Sequence, residues 1–146
     1  MANPGGLTVS QSHEPGTVDL FLRFTVGATG AITAIVTPAV TGGRAIAKGF
    51  KLPVAGTQQA VARTGVGAYD CKLAKPWLVM LDDNISVIGA DTLTDGTYAR
   101  VVTDNVTNTT TPKVSIQFYR RDTNAAADVK SGNDVIVHLT LKRDLP

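Results

Sequence analysis

Lys113-Val114-Ser115-Ile116-Gln117-Phe118-Tyr119-Arg120 and Asp134-Val135-Ile136-Val137-His138-Leu139-Thr140-Leu141-Lys142 decide the fold. Every second residue is apolar in both runs: Val114, Ile116 and Phe118 in the first, Val135, Val137, Leu139 and Leu141 in the second. A period of two sends alternate side chains to opposite faces of a strand, so each run has one buried face and one wetter face. The connection from Arg121 to Asn133 ends in Ser131-Gly132-Asn133-Asp134, which is turn chemistry. Two long strands with matched apolar faces are expected to be buried together, with the rest of the chain supplying a second layer.

Working back towards the N-terminus, Val18, Leu20, Leu22, Phe24 and Val26 place a strand over 18–26, with Phe21 interrupting its polar face. Gly27-Ala28-Thr29-Gly30 reads as a hairpin loop into a strand over 31–36. Residues 44–66 are broken by Gly49, Pro53, Gly56 and Gly65, with a short strand expected near Gln59–Arg63. Tyr69–Leu73 is a strand. Lys75-Pro76-Trp77-Leu78-Val79-Met80-Leu81 is expected to hold one helical turn, because proline suits a first turn, with Trp77, Leu78 and Leu81 plugging one end of the core. Asp82-Asp83-Asn84 is expected to turn the chain into Ile85–Ile88, and a further strand follows over Tyr98–Thr103. The expectation is all-β, an antiparallel β-sandwich, jelly-roll-like, of eight or nine strands with at most one or two helical turns.

Composition agrees. The chain has 146 residues, 43% of them hydrophobic and 18% charged. That length suits one domain burying roughly two-thirds of the surface of its unfolded chain. Glu14 is the only glutamate, whereas Thr and Val, which fit pleated surfaces, abound. Residues 1–16 contain Pro4, Gly5, Gly6, Pro15 and Gly16 and read as a flexible N-terminal arm. The single β-sandwich domain is then 17–146. No secretory leader follows Met1, and no apolar run approaches ~20 residues, so the protein is expected to be made in a cytoplasm without a membrane partner.

A formal charge of +2 does not argue for a nucleic-acid partner. The charges are nevertheless segregated. Arg44, Lys48, Lys51, Arg63, Lys72 and Lys75 face Asp70 alone over 44–75, while Asp82, Asp83, Asp91, Asp95 and Asp104 face Arg100 alone over 82–104. The segregation reads either as two solvated faces or as complementary patches used in assembly.

The residues suited to chemistry are few. His13 lies in the arm and His138 on the outward face of a strand. Cys71 alternates with Tyr69 and Leu73 and reads as a core residue. Asp82-Asp83 lacks the spaced oxygen ligands of a calcium loop. Gly65-Val66-Gly67 lacks the lysine and helix of a phosphate loop. The Asn84, Asn105 and Asn108 triplets read as polar strand and loop positions. No catalytic group, cofactor or metal ligand is expected, and the chain is not expected to be an enzyme.

Several pieces in a fixed order go beyond composition. These are the hairpin Phe24-Thr25-Val26-Gly27-Ala28-Thr29-Gly30-Ala31, then Gly67-Ala68-Tyr69-Asp70-Cys71-Lys72-Leu73, then the apolar turn ending in Leu81, Ile85-Ser86-Val87 and Ala99-Arg100-Val101-Val102. The two opening strands come last. This order resembles small structural proteins of tailed bacteriophages, in particular capsid decoration (cement) proteins. The resemblance implies a β-sandwich that binds the exterior of an assembled capsid, partnered by the major capsid protein and by its own copies, often as a homotrimer in the virion. The capsid or subunit contacts expected on this reading are Asn3, Pro4, Leu7 and Val9 in the arm, with Arg44, Lys48, Lys51 and Arg63. The alternative is a tail or head-fibre component acting as a receptor- or glycan-binding module.

Overall fold

A computed structural model describes residues 16–35, 49–50, 60–89 and 96–143. Eight strands are described: β1 Thr17–Val26, β2 Ile32–Ile35, β3 Val61–Gly65, β4 Ala68–Lys72, β5 Val79–Ile88, β6 Thr97–Asn105, β7 Lys113–Arg120 and β8 Asp134–Lys142. They form two four-stranded antiparallel sheets, β2-β1-β8-β5 and β3-β4-β7-β6. The expected β-sandwich is therefore the fold.

β7 and β8 lie in different sheets, so they cover one another rather than pairing edge to edge. The connection between them carries the chain across. The core comes from alternate residues of both sheets. Leu20, Leu22, Phe24, Val26, Val135, Val137, Leu139 and Leu141 line one side, and Val61, Tyr69, Cys71, Val114, Ile116 and Phe118 line the other, all buried. The Phe24 ring meets Tyr69 across this space at 5.3 Å, and Tyr69 meets Phe118 edge-on at 6.1 Å.

The β1–β2 hairpin turns through one 3-10 turn, Ala28–Gly30. Gly67 makes the tight β3–β4 turn with φ +64°, where a Cβ would run into the Ala127 carbonyl. A left-handed backbone against another carbonyl leaves room only for glycine.

Two local expectations are corrected. Lys75–Leu78 is not a helical turn: the Trp77 N–H donates to the Val106 carbonyl (2.8 Å) and the Leu78 N–H to the Lys142 carbonyl (2.8 Å). These donors tie the segment to β6 and β8 instead of closing a turn on itself. Trp77 is buried as expected, but Leu78 and Leu81 are each 50% exposed, so the plug is Trp77 alone. Asp82-Asp83-Asn84 is also no turn, and β5 runs unbroken through it. The backbone of β8 needs a partner along its second side, and the wet edge position that this creates tolerates Asp and Asn.

Candidate interaction site

β5 and β6 are the outer strands of their two sheets and border one another along one side of the sandwich. Each carries a bulge. The β5–β8 register shifts between Met80 and Asp82, leaving Leu81 unpaired, and the β6–β7 register shifts between Val101 and Thr103, leaving Val102 unpaired. A bulge inserts one extra residue and re-aims its side chain. Here it leaves Leu81 50% and Val102 53% exposed. Leu81 lies four residues after Trp77 and Val102 four before Val106, and Trp77 is bonded to Val106, so the two bulges stand at about the same height.

The rest of this seam is also half open. Met80, Ile85 and Val87 on β5, with Ala99 and Val101 on β6, pack against the core but are only partly buried. Leu78, Val79 and Ile88 add exposed apolar surface at its ends. Acids interrupt it. Asp83 pairs with buried Leu139 and Asp104 with buried Val114, so both stand on the core-facing side of exposed edge strands. Inward-pointing charges on an edge discourage indiscriminate strand pairing. Asp82 and Asp83 stand on opposite faces of β5 and do not converge.

A second feature is a cleft of about 350 Å³ beside β4 and β7. It is lined by Asp70, Lys72, Leu73–Pro76 and Thr109–Lys113. Asp70 accepts from Lys113 Nζ (2.6 Å) and from the Ser115 hydroxyl (2.6 Å). Burial pushes its carboxyl up, but the Lys113 and Ser115 hydrogen bonds and the charges of Lys113 and Lys72 outweigh it and hold the group below its ordinary value. Lys75 places its ammonium 4.9 Å from the Trp77 ring centroid.

Of the contact residues expected from sequence, only Arg63 is described; Asn3, Pro4, Leu7, Val9, Arg44, Lys48 and Lys51 lie outside the described residues. Arg63 projects from β3, and its Nη2 bonds both oxygens of Asp128 at 3.1 and 3.0 Å. Asp128 also accepts the Gly67 N–H at 2.7 Å. Arg63 is thus bound into the fold where the β3–β4 turn meets the β7–β8 connection. Of the acidic run, Asp82, Asp83 and Asp104 do come to one side; Asp91 and Asp95 lie outside the described residues.

Of the groups suited to nucleophilic chemistry, Cys71 and His138 are engaged elsewhere, and His13 lies outside the described residues. Cys71 is fully buried, and burial together with the Asp70 charge pushes its thiol up to about 12. His138 stacks on Phe21 (4.3 Å, 7° between planes) and sits 3.1 Å from Asp19 through Nε2. Asp19 also accepts the Thr140 hydroxyl at 2.8 Å. Among the described residues no group of three or more His, Cys, Asp or Glu could hold a metal ion. No helix among them is long and apolar enough to cross a membrane.

No family model, curated protein or solved structure matches the chain.

Proposed function

We propose that this chain is a structural virion protein that binds the outside of an assembled tailed-phage capsid and stabilises it, as a decoration or cement protein without turnover chemistry. The observation that carries the reading is the β5/β6 seam, where two facing edge strands each expel one apolar side chain, Leu81 and Val102, into solvent. Exposed apolar side chains interspersed with acids suit a contact surface, and strand edges that have no partner among the described residues add main-chain hydrogen-bonding groups to it. On a shell made of many identical subunits, weak contacts of this kind multiply. The partners on this reading are the major capsid protein and further copies of this chain, with a homotrimer as the expected oligomer and the virion exterior as the location.

Cryo-electron microscopy of the source particle tests the proposal. The expected result is sandwich-shaped density outside the shell with the β5/β6 side at a contact. Density confined to a tail or fibre would refute it in favour of a receptor- or glycan-binding component.

A further inference from the structure

Lys72 and Lys113 stand directly opposite each other across β4 and β7. Like charges at opposed positions destabilise a strand pair. Lys113 is relieved by its bond to Asp70, but Lys72 has no carboxylate within salt-bridge distance among the described residues. Lys75 brings a third cation to the same cleft. Lys113 and Lys72 both act on the Asp70 carboxylate, while the Lys75 ammonium lies over the Trp77 ring, so three lysines and one aspartate line the cleft with a formal excess of two positive charges. Two opposed lysines sharing the Asp70 carboxylate are a local charge conflict of the kind found at functional positions.

The walls are fixed before any ligand arrives. The Leu73 N–H donates to the Pro112 carbonyl at 2.9 Å, joining the two sides. Asn108 Oδ1 accepts from the N–H groups of Thr110 and Thr111 at 2.9 and 2.7 Å, holding the threonine loop in one shape. Lysines act as point charges for oxyanions, and a fixed cleft lowers the ordering cost of binding.

We propose that this cleft binds a compact oxyanion group carrying two negative charges, a phosphate or a dicarboxylate, held between Lys72, Lys75 and Lys113. The cleft is separate from the β5/β6 seam, so the assignment stands whether or not the chain decorates a shell. Binding would replace the missing counter-charge between Lys72 and Lys113.

The full chain is titrated with inorganic phosphate and separately with succinate, with ionic strength held constant by sodium chloride, while the amide resonances of Thr110, Thr111 and Lys113 are followed. The expected result is a saturable shift with at least one of the two anions. Phosphate as the stronger ligand assigns phosphate chemistry, and succinate assigns carboxylate. The double variant Lys72→Met with Lys75→Met should weaken binding by roughly ten-fold or more, whereas Lys130→Met, away from the cleft, should bind like the parent. Shifts that never saturate with either anion, or a double variant that binds like the parent, would overturn the proposal.

Discussion

The Tyr69 hydroxyl donates a 2.7 Å hydrogen bond to the Gly30 carbonyl, tying β4 of one sheet to the β1–β2 turn of the other through the buried core. Burial and then the Asp128 charge push the phenol up to about 12. Tyr69→Phe keeps the ring but leaves a carbonyl without its donor, which should cost about 1–3 kcal/mol in urea unfolding. The raised phenol adds a pH signature. Its contribution is fully present below the unfolded value of about 10 and is lost as pH rises towards about 12. The parent should therefore lose stability over that range more steeply than Tyr69→Phe.

Leu139 and Val137 point from β8 into the centre of the sandwich with no exposed surface. Leu139→Ala should cost about 2–5 kcal/mol and Val137→Ala somewhat less, through lost burial and the cavity left behind. Ile136, the residue before Val137, faces outward and is only half buried. Ile136→Ala should be much milder, and equal costs at 136 and 137 would contradict the register.

Acid should loosen the outer faces of both sheets. Hydrogen bonds from Thr25 and Arg23 hold the Asp134 carboxyl below its ordinary value, and Asp70 is also lowered. A lowered carboxylate stabilises the fold above its unfolded value of about 4, and that stability is lost as pH falls through the folded value. Urea unfolding measured at falling pH should show a shallower acid limb for Asp134→Asn than for the parent.

The Cys71 thiol should be inert while the protein is folded. It is fully buried, and its thiolate is strongly disfavoured. Iodoacetamide should label it slowly in buffer and rapidly in denaturant, with the native rate set by opening of the core. Rapid labelling of folded protein would contradict the placement of β4.

The fold was legible because its signal is local. Alternation in Val114–Phe118 and Val135–Leu141 marks both inner faces, and the same pattern places Cys71 and Tyr69 in the core. Which strands pair was less legible, since β7 and β8 carry the same pattern whether they lie side by side or face to face. The seam is not legible in sequence, for a physical reason. A bulge appears in sequence only as a break in alternation, such as Met80-Leu81 before Asp82-Asp83 or Val101-Val102 before Thr103. In sequence the first break looks the same as the end of a helical turn. The cleft is not legible in sequence because Lys113 lies far from Lys72 and Lys75 along the chain and joins them only through the β4–β7 register.

The central claim is that this chain binds an assembled shell through its β5/β6 seam. It is tested most directly by pelleting purified protein with undecorated shells of the source particle. The parent should co-sediment saturably, and a Leu81→Ser, Val102→Ser double variant with unchanged circular dichroism should stay largely in the supernatant. A parent that fails to pellet would contradict the decoration reading, and a double variant that pellets like the parent would contradict the seam as its contact surface.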